Sequence, residues 1–209
     1  MKKHNALRST FNHISSYFFL MIIYSFSAGA QLTIDITKGN IDPTPVAVPN
    51  FLAESAELSQ LGGDMASVIR SNLKRSGLFV SLNPDGFLET QANIDYQPNF
   101  SSWRVINAQA LVSGRIVPEG SNKLRVEFRL WDIFAGKQLI GIRFITIKDQ
   151  WRRAAHKASD EIYKALTGEI GYFDSRIVFI DEKGTKLNRK KSLAIMDQDG
   201  YGTKLLTDG

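Results

Sequence analysis

Three stretches in the middle of the chain read as consecutive strands. They are Ala110 to Val117, Lys123 to Ile133 and Gln138 to Ile147. The second is the clearest: Leu124, Val126, Phe128 and Leu130 share one face, and Lys123, Arg125, Glu127 and Arg129 share the other. The turns Pro118–Asn122 and Phe134–Lys137 join the three into a predicted antiparallel meander. Upstream, Leu32-Thr33-Ile34-Asp35-Ile36-Thr37 alternates in the same way and predicts a strand. The near-continuous apolar run from Pro45 to Phe51 predicts a second strand covered on both faces. Leu78 to Leu82 predicts another, closed by the turn residues Asn83-Pro84-Asp85-Gly86.

Two segments carry the helical period instead. Leu61, Met65, Val68, Ile69 and Leu73 form one stripe, with Asp64 as the predicted cap and Gly77 as the stop. Trp151, Ala155, Ala158, Ile162, Ala165 and Leu166 form another, on a helix from about Asp149 to Thr167 that ends at Gly168. Ser101 or Ser102 is placed to cap a short helix carrying Trp103 and Ile106. Residues 31–168 therefore read as an α/β domain with a mixed sheet and flanking helices. From residue 169 the pattern changes. Arg176–Ile180 and Ser192–Met196 predict strands around a polar hairpin loop, Asp181–Lys191, and Thr203–Thr207 begins a third. Strand, hairpin, strand, turn, strand is how a propeller blade opens. One such unit falls short of the repeats a propeller needs, so residues 169–209 read as a linker and an incomplete β-propeller blade.

The first thirty residues follow a different logic. Lys2, Lys3 and Arg8 precede the apolar run Tyr17–Tyr24, and Ala28-Gly29-Ala30 is a small-x-small cleavage signature. That is a secretory signal peptide, with Ala28 and Ala30 at the cleavage site and Gln31 as the first mature residue. The apolar run is well short of the roughly 20 residues that span a bilayer. The 209-residue chain has no cysteine, so no disulfide, Cys-based metal site or lipidated N-terminal cysteine is expected. A soluble periplasmic product follows. Part of the formal charge of +5 sits in the signal segment, which weakens any inference of a nucleic-acid partner.

Candidate chemistry is sparse. His156 is the one histidine after residue 30, and it sits off the apolar stripe of its helix, where a solvated or partly buried position is expected. Asp35, Asp42, Glu54 and Asp64 are scattered, and no nucleophile lies beside a base and an orienting group. Asp197-Gln198-Asp199-Gly200 has a faint calcium-loop spacing without the remaining ligands, and reads as a blade turn. Arg189-Lys190-Lys191 with Lys183 and Lys186 reads as a solvated hairpin; Trp103, Trp131 and Trp151 read as core. No enzyme activity, cofactor, metal, nucleic acid or small-molecule substrate is expected.

Several local motifs resemble the TolB family. They are Pro45-Val-Ala-Val-Pro-Asn-Phe51, Gly62-Gly63 through Arg75-Ser-Gly-Leu-Phe79, Ser102-Trp103, and Ala110-Leu-Val-Ser-Gly-Arg115. Trp151-Arg-Arg-Ala-Ala-His156, Ser159-Asp-Glu-Ile-Tyr163, Leu166-Thr-Gly168, Arg176-Ile-Val-Phe179 and Asp197-Gln-Asp-Gly-Tyr201 follow in order. The resemblance implies an anticodon-binding-domain-like α/β fold. It also implies a non-enzymatic scaffold of the Tol-Pal envelope system, serving outer-membrane integrity, cell division and protein import. The mature N-terminus would be an arm for a TolA-like inner-membrane protein, which falls here on Leu32, Thr33, Ile34, Asp35 and Ile36. A Pal-like lipoprotein is the family's partner at the propeller, and the short second region puts that contact in doubt for this chain. The alternatives are an exported periplasmic hydrolase, a secretion or synthase-activator component with a similar domain, and a non-functional fragment.

Overall fold

The computed structural model describes residues 31–35, 42–89 and 93–208. The predicted signal segment, with Ala28 and Ala30, and the predicted arm residue Ile36 lie outside the described residues.

Among the described residues, six strands form the main sheet. They are β1 (Thr44–Ala47), β2 (Leu52–Ala53), β3 (Phe79–Ser81), β4 (Ala110–Pro118), β5 (Lys123–Asp132) and β6 (Lys137–Ile147). The order is β3-β1-β4-β5-β6, with β2 beside β4. β1 is parallel to β3 and β4, whereas β4, β5 and β6 are antiparallel, so the sheet is mixed as expected. The predicted strand from Pro45 to Phe51 is interrupted: β1 and β2 lie along one side of β4, and the chain between them turns Phe51 inward. Two glycines make that possible. A Cβ on Gly114 would stand 2.5 Å from the Phe51 ring, and one on Gly62 would stand 2.4 Å from the Phe51 carbonyl oxygen.

Two helices cover one face of the sheet. Helix α1 (Ala56–Arg75) starts eight residues before the predicted Asp64 cap. Its cap is Ser55, whose Oγ accepts from the Leu58 amide at 3.3 Å. Gly62 and Gly63 lie inside the helix and do not precede it. The predicted stop at Gly77 holds, with φ of 77°. The short α2 (Phe100–Val105) is capped by Asn99 and not by Ser101 or Ser102. Helix α3 (Trp151–Thr167) ends at the left-handed Gly168, whose amide donates to the Lys164 carbonyl. Helices α1 and α3 share one core with β1 and β4–β6, including Val46, Phe51, Met65, Ile69, Val126, Phe128, Ala158 and Ile162. A smaller cluster on the other face joins Leu111, Trp131 and Ile133 to Trp103 and Phe87. Trp103 and Trp131 are thus core, and Trp151 is half-buried against the main cluster.

A second sheet follows, made of β7 (Arg176–Thr185), β8 (Asn188–Asp197) and β9 (Lys204–Leu205) in that order, all antiparallel. The predicted loop Asp181–Lys191 is mostly strand. The pairing runs to Thr185 opposite Asn188, and Glu182 forms ion pairs with Arg189 and Lys191 across it. Both faces are solvated there, so no apolar period marks the strands. Residues 31–209 form one compact unit.

Candidate interaction site

Residues 31–35, which hold most of the predicted arm, lie against the described α/β unit. Leu32 and Ile34 turn inward and Thr33 and Asp35 outward, the alternation that the sequence carries, but residues 31–35 pair with no strand. Two backbone donors hold them. The Leu32 amide donates to Asp132 Oδ2 at 2.8 Å, and the Ile34 amide donates to the Leu166 carbonyl at 2.8 Å. Leu166 lies in the last turn of α3, where carbonyls have no partner within the helix, so the arm satisfies one of them. Asp132 is buried at the end of β5, and its other oxygen accepts from the Ala135 amide at 2.9 Å, which closes the β5–β6 turn. Of the five predicted arm residues, Leu32 and Ile34 therefore pack at one seat, and Thr33 and Asp35 face outward beside them.

A second polar site joins the helices to the second sheet. The linker before β7 is pinned to α3. Asp160 accepts from the Phe173 and Asp174 amides at 2.6 and 3.1 Å, and Gly171 lies so close that a Cβ would meet the Asp160 Cα at 2.4 Å. Burial raises the Asp160 pKa even against those two hydrogen bonds. Beyond β8, the Asp197–Tyr201 turn sits on α1 and α3. Arg152 pairs with Asp199, and its guanidinium lies 4.1 Å from the centre of the Tyr201 ring. Arg176 approaches Asp197 at 3.6 Å, Arg153 bonds Asp174 at 3.0 Å, and Gln198 Nε2 donates to Asn72 Oδ1 at 3.3 Å.

His156 is the centre of this seam. It is 2% exposed, not solvated or partly buried as its place off the stripe predicted. Arg75 donates to Asn72 Oδ1 at 2.6 Å, which leaves Asn72 Nδ2 to donate to His156 Nδ1 and Ser159 Oγ, both at 2.9 Å. On that assignment Nδ1 accepts, and the proton sits on Nε2. Nε2 makes no hydrogen bond and faces Asp199 Oδ2 at 3.8 Å and Asp197 Oδ2 at 4.0 Å. His156, Asp197 and Asp199 are the described residues whose ligand atoms lie close enough to hold a metal ion, within 4.8 Å of one another. The network opposes that use: a metal needs the Nε2 lone pair, and Arg152 and Arg176 already balance the two carboxylates. Burial lowers the His156 pKa, partly offset by Asp199, so the ring is neutral at pH 7. For Asp199, burial works upward, but the Tyr201 amide and Arg152 outweigh it and lower the pKa. Sequence reading missed this site because Asn72, His156 and Asp199 are far apart in the chain. The acidic Asp197–Asp199 turn was its one visible trace.

Against known proteins, the family model of the TolB amino-terminal domain matches residues 32–139. The chain belongs to that family. The match begins within the arm and ends in β6. Among solved structures, TolB from Acinetobacter baumannii is similar at a TM-score of 0.66 and 25% identity, over 86% of this chain and 42% of that one. The chain thus spans less than half the length of that relative. The lipoprotein GNA1162 from Neisseria meningitidis is similar at a TM-score of 0.40 and 16% identity, over 51% of this chain and 81% of that one. A PelC dodecamer from Paraburkholderia phytofirmans aligns at a TM-score of 0.40 and 15% identity, over 61% of this chain and 88% of that one.

Proposed function

We propose that this chain is a periplasmic adaptor of the Tol-Pal envelope system, working through protein contacts in outer-membrane integrity, cell division and protein import. On this reading residues 1–30 are a signal peptide cleaved after Ala30, residues 31–168 are the TolB-type α/β domain, and residues 169–209 are a linker and an opening propeller blade. The arm Leu32–Ile36 exchanges between its own seat and a TolA-like inner-membrane protein, to which it adds as an extended segment. A Pal-like lipoprotein is the family's other partner.

The observation that carries the reading is that residues 31–35 pack on the domain without joining a sheet ladder among the described residues. The Leu32 amide donates to Asp132 and the Ile34 amide to the Leu166 carbonyl, and the side chains of Leu32 and Ile34 pack against the core. Each such hydrogen bond contributes only about 1 kcal/mol net, so a partner that offers equivalent pairing can compete. A protein-binding role also suits a chain whose one described histidine is committed to a structural seam. No helix among the described residues is long and apolar enough to cross a membrane.

The test is titration of the chain from Gln31 to Gly209 against the C-terminal domain of TolA, and separately against Pal, with a deletion of residues 31–37 as control. Binding to TolA that the deletion abolishes supports the adaptor reading. A folded chain that binds neither partner removes it.

A further inference from the structure

The outer edge of β6 ends the main sheet among the described residues. Among the described residues β6 pairs only with β5, so the other side of an eleven-residue strand presents unpaired backbone groups. Natural edges are usually blunted by charge, proline or a bulge. Here the register irregularity lies at Leu130/Trp131, near the start of β6. From Phe144 to Ile147 the edge is uncharged, and Ile145 is 57% exposed.

Beside this stretch runs a groove of about 430 Å³ between β6 and α3. Phe144, Ile147 and Ala154 give it an apolar floor, and its cations are Lys123, Arg153 and Lys157. None of its lining residues is acidic. Arg153 is already paired with Asp174, whereas Lys123 and Lys157 are exposed and form no ion pair among the described residues. Successive side chains of an added strand point to alternate faces, so one face would enter the groove. Apolar groups suit its floor, and carboxylates suit its two unpaired lysines.

We infer that β6 is a docking edge for an acidic extended segment of a protein partner, which adds to the main sheet and sets its carboxylates against Lys123 and Lys157. This surface lies apart from the arm seat at Asp132 and Leu166, and its occupation does not require release of the arm.

The test uses the whole chain and a fluorescent eight-residue peptide alternating valine and glutamate. A valine–lysine counterpart and a backbone N-methylated form of the acidic peptide serve as controls. The acidic peptide is expected to bind about tenfold more tightly than the basic one, a gap of roughly 1.4 kcal/mol. Binding should slow amide exchange in residues 142–147 and leave β4 unchanged, and N-methylation should abolish it. The double variant K123E/K157E changes two exposed side chains, so the fold should persist while the preference shifts to the basic peptide. Four results overturn the inference. They are no binding of the acidic peptide, binding indifferent to K123E/K157E, binding without protection of β6, and a β6 edge protected in the free chain by pairing with a second copy.

Discussion

The two sheets of this molecule are held by different forces. The main sheet lies under α1 and α3 and buries Val126, Phe128, Leu130 and Ile116 almost completely. The second sheet buries only Ala194 among its apolar side chains, and Val178 on β7 is 56% exposed. The first region therefore gains its stability from apolar area removed from water. The second is attached through the charged and hydrogen-bonded seam around His156, Arg152 and Asp199. Apolar burial responds little to pH, whereas a seam of ionisable groups responds strongly. That contrast can be broken from either side.

The largest effect is expected at Phe51. Its ring fills the space between Gly114 and the inward turn of the chain after β1, and its carbonyl lies against Gly62. Phe51→Ala should cost about 3–5 kcal/mol, the range for a buried phenylalanine. Urea unfolding followed by tryptophan fluorescence will measure it, because Trp103 and Trp131 lie in the same region. Gly114→Ala should be destabilising as well, by about 1–3 kcal/mol for overpacking. A loss below about 1 kcal/mol for Phe51→Ala would mean that this contact does not organise the first region.

Next comes the seam. Asp199→Asn leaves the Arg152 guanidinium without its carboxylate. Fully buried pairs cost about 3–5 kcal/mol when broken; because the Arg152 side chain keeps 21% exposure, about 2 kcal/mol is expected. The change should be regional: amide exchange in β8 should accelerate while exchange in β4 and β5 stays constant. Equal acceleration in both sheets would show that the two regions unfold together.

The pH dependence is smaller and has a defined sign. The folded-state pKa of His156 is lowered, first by burial. The unfolded chain therefore binds the proton more readily, and the seam's contribution is complete above the unfolded value of about 6.5. It falls as pH drops from there through the folded value. Asp199, with a lowered pKa, loses its contribution only at lower pH, below the ordinary carboxylate range. Asp160 acts in the opposite sense, because its raised pKa favours the protonated carboxyl in the folded state. Asp197, Asp174 and Arg152 also face or surround the ring and modulate the midpoint. Protection factors of β8 amides, corrected for the intrinsic pH dependence of exchange, should therefore fall between pH 7 and 5, and His156→Gln should flatten the profile.

The same division explains what the sequence disclosed. Strands β5 and β6 and helix α3 were legible because each buries one face and so carries a period, and β4, buried on both faces, was legible as a short apolar run between turn signals. The start of α1 was not. Gly62 and Gly63 resemble a break before a helix, and only the close approach of Phe51, eleven residues earlier, accounts for Gly62 within it. The ends of β7 and β8 bury neither face, so Asp181–Lys191 read as a loop although its charges pair across the strands. The alternation in residues 32–35 correctly marked which side chains turn inward, but it could not show that their backbone partners are an aspartate 100 residues away and the end of a helix. His156 was misplaced for a related reason: helical periodicity reports apolar burial, and its burial is polar, through partners from Asn72 and Asp199.

The smallest effect concerns the arm, which belongs to the well-packed region yet is held in the manner of the seam. Asp132→Asn keeps the size of the side chain but replaces the carboxylate that accepts from the Leu32 and Ala135 amides. A hydrogen bond to a charged acceptor contributes more than a neutral one, so the loss should be about 1 kcal/mol. Global stability should barely move, because Phe51 and the α1–α3 core are untouched. Local protection should move clearly: amide exchange and protease cleavage at residues 31–35 should accelerate, while β4 stays protected. If the arm is the exchanging element, the same variant should bind a TolA-like partner about five-fold more tightly, since less is lost on leaving the seat. An arm that loosens without any gain in partner affinity would separate the seat from the binding function and leave Asp132 as a turn-closing residue only.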